Sequence, residues 1–336
     1  MSRVSQLLLK FPCAELISQP TPIERLDRMS DKLDIDLWMK RDDLTGLSFG
    51  GNKTRQLEYY IGAALAKKAD TILITGAVQS NFVRTAAAAA AKFGMKAILQ
   101  LEERVPDMGP MYYSSGNVLL SHLLDVEHMS FPEGENEAGA DAALAQRASQ
   151  LVANGQVPYI IPLGIDHPPL GALGYVKGGL ELAGQMSDFD VAIVPSGSGA
   201  THGGWLTGLR LSGINRPMYG ICVRRDATQQ KHRMHTVTNK LADLLDIERP
   251  FNQQDILTWD GALAPGYGQV GPQSLYALKF MAQTEGIMLD PVYTAKTFAG
   301  VLGLLEEGKI KRGQKVLMLH TGGLPALFSY EDVLQG

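Results

Sequence analysis

The stretch DTILITGAVQSNFVRTAAAAAAKFGMKAILQL, residues 70–101, decides the fold. Residues 70–76 form a short apolar run, and 96–101 (KAILQL) form another. Runs this short and this apolar read as strands buried on both faces. Between them, 85–93 carries the unbroken alanine run Ala86–Ala91. Alanine is the best helix former, and its small side chain lets a helix lie close to a sheet. Strand, helix and strand in succession describe parallel strands joined by a helical crossover.

The same alternation continues outward. Strand candidates occur at 157–163 (VPYIIPL), 191–195 (VAIVP), 218–223 (MYGICV) and 315–319 (KVLML), with helical patterns at 140–154 and 274–285. The fold class is therefore α/β with mostly parallel sheets, and 336 residues predict two domains or lobes. Ligands of such sheets bind beyond the carboxyl ends of the strands, so the loops after Ile74, Val194 and Leu319 are the ones to inspect. No internal repeat or disordered linker interrupts the pattern. The acidic segment 131–141 (FPEGENEAGAD) reads as an exposed loop leading into the next helix.

Composition removes several classes of function. The formal charge is −4 and no long block of Lys and Arg occurs, so nucleic acid is not an expected partner. No stretch is apolar for long enough to span a bilayer, and the three leucines before Lys10 are too few for a signal-peptide core. A cytoplasmic protein with no membrane partner is expected. Two cysteines, Cys13 and Cys222, make neither a disulfide framework nor a zinc site, and both read as small buried or half-buried side chains. Of seven histidines only His232 and His235 share metal-ligand spacing on a helix face, in a basic stretch that reads as solvated. No metal is expected.

Four segments could carry chemistry. The first is 40–46 (KRDDLTG) followed by 49–55 (FGGNKTR), where paired glycines precede Lys53 at a helix start. The helix dipole disfavours a cation there, and with burial it would lower the amine toward the neutral form that Schiff-base chemistry requires. A surface lysine at a turn is the alternative. The second is 76–84 (GAVQSNFVR), an anion site at a helix N-terminus or a polar cap made by Ser80 or Asn81. The third is 196–204 (SGSGATHGG), directly after a strand and suited to phosphate. It is neither a GxGxxG fingerprint nor a P-loop, which counts against a nicotinamide-dependent oxidoreductase. His202 there reads as a helix-start residue. The fourth comprises 264–268 (APGYG), 289–294 (LDPVYT) and 320–323 (HTGG), each of which singly could be packing or a turn.

In this order the four segments resemble the fold-type II pyridoxal-phosphate enzymes, over nearly the whole chain from 20–24 (PTPIE) to 321–328 (TGGLPALF). More narrowly they resemble the branch of D-cysteine desulfhydrase, L-cysteate sulfo-lyase and aminocyclopropane-carboxylate deaminase. The resemblance implies two three-layer α/β/α domains, a large one from 1–53 plus 161–336 and a small one from 54–160. The cofactor, pyridoxal 5′-phosphate, would lie between them, in a homodimer.

By the same resemblance Lys53 carries the cofactor, Asn81 lies against its phenolic oxygen, and Ser198, Gly199, Ala200 and Thr201 bind its phosphate. Thr321 stands beside the pyridine nitrogen. Ser80, Asn81 and Phe82 hold the substrate carboxylate, while Tyr267 and Tyr293 flank the substrate. Lys53, Ser80, Tyr267 and Tyr293 form the implied catalytic set. The deaminases carry an acidic residue after the DPVY tyrosine and a leucine before the final Gly-Gly; here Thr294 and Thr321 follow the desulfhydrase pattern. The implied reaction is β-elimination on a small amino acid, D-cysteine giving pyruvate, hydrogen sulfide and ammonia. Phe82, where relatives carry histidine or glutamine, and Asp166-His167 are particular to this chain.

Overall fold

The computed structural model describes residues 2–134 and 136–335. Ten strands run along it: β1 (Ile23–Arg25), β2 (Asp36–Arg41), β3 (Thr71–Ala77), β4 (Lys96–Glu102), β5 (Glu127–Phe131), β6 (Pro158–Ile161), β7 (Val191–Ser196), β8 (Met218–Cys222), β9 (Leu257–Trp259) and β10 (Lys315–His320). They form a six-stranded sheet in the order β1-β2-β10-β7-β8-β9 and a four-stranded sheet in the order β5-β4-β3-β6. Every pairing is parallel except that of β1 with β2.

Both sheets are covered on two faces, and the sequence alternation says why. Successive side chains of a strand point to opposite faces. In the larger sheet Ile193, Val316 and Met318 join Phe298 and Leu304 on one side, while Ala192, Val194, Leu317 and Leu319 join Trp205 and Leu206 on the other. In the smaller sheet Ile72, Ile74 and Leu99 pack against the alanine-rich helix Asn81–Lys92, and Leu73 and Ile98 meet Leu144 and Leu151 on the far face. A strand apolar at every position has no solvated face to offer. Burying each large apolar side chain contributes about 1.5–3 kcal/mol.

All six strands read from the sequence are present, with ends shifted by a residue or two. Four others carry too much polarity or are too short to announce themselves. β1 and β9 have three residues each; β5 is EHMSF on a sheet edge; β2 ends in Lys40 and Arg41, whose charges are paired inside the fold. The segment 131–141 is less of a loop than expected: Phe131 ends β5 and the helix Glu137–Ala153 begins soon after, with Glu135 outside the described residues. Cys222 is buried as expected, but Cys13 is exposed. Among the described residues no helix is long and apolar enough to cross a membrane.

Candidate active site

The carboxyl ends of β3, β7 and β10 open onto one cleft, and Lys53 lies in its wall. Lys53 is the second residue of the helix Asn52–Ala66, and the turn before it is fixed from two directions. Gly51 donates to the Asp42 carbonyl at 3.0 Å and to Thr45 Oγ1 at 2.8 Å, and the Asn52 N–H donates to the Thr321 carbonyl at 3.0 Å. Gly51 has φ +113°, and a Cβ there would stand 2.9 Å from the Thr321 oxygen, so only glycine fits. The KRDD segment is itself held by buried charge. Arg55 bridges Asp42 and Glu181, each at 2.8 Å; Lys40 pairs with Glu181; and Tyr175 donates to Asp42 at 2.6 Å.

Within this frame Lys53 Nζ has only a long hydrogen bond to Gln56 Oε1, at 3.4 Å, and lies 5.0 Å from the centre of the Phe82 ring. Burial alone lowers its amine from 10.5 to about 8.

Across the cleft β7 leads through Gly197, Ser198 and Gly199 into the helix Ala200–Leu211. Gly199 is left-handed, φ +97°, which turns the first amides of that helix toward the cleft as an anion cradle. Thr201 Oγ1 already accepts from Asn52 Nδ2 at 2.8 Å and from Gln56 Nε2 at 2.9 Å, so its own proton is left to donate. Gln230 and Arg233 tie down the Gly197 and Ser198 carbonyls at 3.1 and 3.0 Å. The residues present therefore fit a phosphate. Ser198, Gly199 and Thr201 line the main cleft, while Ala200 faces an adjoining pocket. His202 is fully buried against Ser196 Oγ at 3.0 Å, and burial pushes it down to about 3, a packing residue.

Ser80 caps the helix Asn81–Lys92 by accepting from the Val83 N–H at 3.3 Å, and the open amides of that helix end also face the cleft. Of the two readings, the Ser80 cap is the one observed. Asn117 Nδ2 donates to Asn81 Oδ1 at 2.9 Å, which leaves the Asn81 amide nitrogen free to donate. Phe82 brings a backbone N–H and an apolar wall rather than a polar side chain. Tyr267 and Tyr293 share a hydrogen bond of 2.7 Å, and burial holds Tyr293 well above the ordinary tyrosine range. Thr321 lines the cleft, its hydroxyl unpartnered among the described residues. Thr294 does not reach it: its hydroxyl bonds Asp290 Oδ1 at 2.7 Å and closes the turn that carries Tyr293. Five charged residues of the cleft wall were not assigned to the site from the sequence, namely Arg104, Glu137, Arg224, Arg225 and Arg233. Arg104, two residues past the end of β4, could have been noticed as another carboxyl-end position.

Residues 15–322 match the sequence pattern of the family described as "Pyridoxal-phosphate dependent enzyme". The chain belongs to this family. Its cofactor is pyridoxal 5′-phosphate, and the Lys53 amine and the Gly199–Thr201 loop fit that group. The chain is 39% identical over 332 residues to the D-cysteine desulfhydrase of Klebsiella pneumoniae subsp. pneumoniae, covering 98% of this chain and 99% of the relative. It is 39% identical over 330 residues to that of Yersinia pestis, covering 97% and 98%. Among solved structures it superposes on one described as an ACC deaminase homologue with a TM-score of 0.89, 34% identity and coverage of 100% and 99%. Threonine deaminase isoform 2 from Solanum lycopersicum shares the fold, with a TM-score of 0.68 at 16% identity, covering 99% of this chain and 92% of that one.

Proposed function

We propose that this enzyme eliminates the β-substituent of a small amino acid, with D-cysteine giving pyruvate, hydrogen sulfide and ammonia. The observation that carries the proposal is the desolvated Lys53 amine, held by no more than a 3.4 Å hydrogen bond to Gln56 and flanked by two helix starts suited to anions, at Ser80–Phe82 and at Gly199–Thr201. Bound at Lys53, pyridoxal phosphate supplies the electron sink that makes the substrate's Cα–H bond labile. The Gly199–Thr201 cradle would hold its phosphate, the Asn81 amide would face its phenolic oxygen, and the Thr321 hydroxyl would face its ring nitrogen. A hydroxyl there does not force the ring to be protonated, which leaves a weaker sink, sufficient when a good leaving group departs from Cβ.

The amides and hydroxyl at Ser80–Phe82 hold the substrate carboxylate and so aim the Cα–H bond. Lys53, with its amine at about 8, takes up the Cα proton. Tyr293, held in the protonated form, is suited to donate to the departing sulfur, with Tyr267 relaying through their shared hydrogen bond. The Cβ–S electron pair leaves as hydrosulfide, and the three-carbon product takes up water to give pyruvate and ammonia.

The division into a 54–160 domain and a domain of 1–53 plus 161–336 is supported by the confinement of β3–β6 to residues 71–161. A cytoplasmic homodimer is part of the same proposal. The test is Lys53→Ala. It should lose both sulfide release and the visible absorbance of the bound cofactor, and borohydride should no longer fix cofactor to the chain. Retained turnover in that variant would refute the assignment.

A further inference from the structure

The side chain of Asn81 can offer the cleft either its amide nitrogen or its amide oxygen, and the residues behind it decide which. Its Oδ1 accepts from Asn117 Nδ2 at 2.9 Å, and its Nδ2 has no partner among the described residues. Asn117, on the helix Gly116–Leu123, is buried, and both polar atoms of its side chain are engaged. Its Nδ2 also donates to the Gln79 carbonyl at 3.0 Å, and its Oδ1 accepts from Arg84 Nε at 3.0 Å. The Asn117 N–H donates to Gln79 Oε1 at 2.9 Å, which ties this helix start to the turn that carries Asn81. A side-chain amide can be turned over, so its orientation must come from partners whose roles are fixed. Here both are fixed. A guanidinium can only donate, and a backbone carbonyl can only accept. Asn117 therefore turns its nitrogen toward Asn81, and Asn81 answers with its oxygen.

Arg84 is the costly member of this chain of contacts. It is wholly buried, no carboxylate among the described residues pairs with it, and its Nη2 has no hydrogen-bond partner. A buried cation without an anion is destabilising, and burial lowers this one to about 10. Its Nη1 donates to the carbonyl of Ser48, in the left-handed turn of Ser48 and Phe49 that leads into Gly50 and Gly51. One guanidinium thus touches both the turn before Lys53 and the residue behind Asn81. We propose that Asn117, oriented by Arg84 and the Gln79 carbonyl, is a positioning residue that holds the Asn81 amide with its donor toward the cleft, where it meets the phenolic oxygen of the cofactor. This inference rests on the placement of Asn81 under the proposed function.

Asn117→Asp keeps the shape of the side chain and its acceptor for Arg84, but a carboxylate cannot donate to Asn81 Oδ1. Asn81 should then turn over, donate to the new carboxylate and offer its oxygen to the cleft. The test titrates the full-length, cofactor-free chain with pyridoxal 5′-phosphate and with 3-deoxypyridoxal 5′-phosphate, which lacks the phenolic oxygen, and follows cofactor fluorescence. Asn81→Ala and Asn117→Asp should each bind pyridoxal phosphate about tenfold more weakly than the parent and bind the deoxy analogue unchanged. The double variant should lose no more than Asn81→Ala alone, because Asn117 acts only through Asn81. Asn117→Ser, too short to reach Asn81, should show a selective loss of the same sign and serves if the carboxylate prevents folding. Asn117 variants that weaken both ligands alike, or neither, while Asn81→Ala is selective, overturn the inference and leave the placement of Asn81 intact. If Asn81→Ala itself is not selective, that placement and the inference fall together, and the assignment of Lys53 is untouched.

Discussion

Replacing Lys53 by methionine should stabilise the cofactor-free protein, although it removes the amine on which function depends. Burial holds that amine at about 8 in the folded chain against an ordinary 10.5. In the unfolded chain it sits in water and titrates normally. Between those two pH values the unfolded state binds more protons than the folded one, so the parent's stability rises with pH across that window. Below about pH 8 the parent carries the full cost of a charged amine in a desolvated place. At about 1.4 kcal/mol per tenfold change, that cost is about 3 kcal/mol. Methionine fills much of the same volume and carries no charge, so the variant lacks this dependence. Urea unfolding of both apoproteins from pH 6.5 to 9.5 should find the variant more stable at the acid end. The difference should shrink by about 2 kcal/mol at the alkaline end. Stability curves that run parallel across this range would refute the claim that desolvation tunes the amine.

Gly51→Ala places a Cβ 2.9 Å from the Thr321 carbonyl at φ +113°. It should cost about 1–3 kcal/mol in thermal unfolding and loosen cofactor retention on dialysis. Thr201→Val removes a hydroxyl whose acceptor capacity is already used by Asn52 and Gln56. The apoprotein should then bind pyridoxal phosphate about tenfold more weakly, followed by cofactor fluorescence, because one donor to the phosphate is lost.

What the sequence disclosed, and what it withheld, follows physical lines. The strands that anchor the cleft, β3, β7 and β10, are apolar along almost their whole length, and such runs are readable because only a doubly covered sheet can bury them. The glycine-rich turns at Gly51 and Gly199 were readable because positive φ angles demand glycine. β2 was missed because its polar end, Lys40-Arg41, is paired by carboxylates that no local pattern announces, distant Glu181 for Lys40 and Glu24 with Asp43 for Arg41. Arg104 was missed for the same reason, since its anchor is a buried carboxylate two residues back whose burial no local pattern announces. Thr294 shows the reverse case. It marks a branch of the family in the sequence, yet its hydroxyl is spent inside the turn before Tyr293.

The separation of scaffold charge from site charge explains how one helix can serve both. Lys53 and Arg55 lie two positions apart, which on an α-helix turns their side chains to different sides. Arg55 points into the scaffold, where two cations, Lys40 and Arg55, meet two anions, Asp42 and Glu181. That cluster is formally neutral, so it can hold the Gly-Gly turn rigidly while exerting little net field on the amine next door. Lys53 lines the cleft, where no carboxylate among the described residues is close enough to raise its amine, and burial lowers its value. Had Asp42 or Glu181 faced the cleft instead, the same fold would have raised the amine and kept it charged. The reactivity of Lys53 thus depends on the cluster behind it being fully paired.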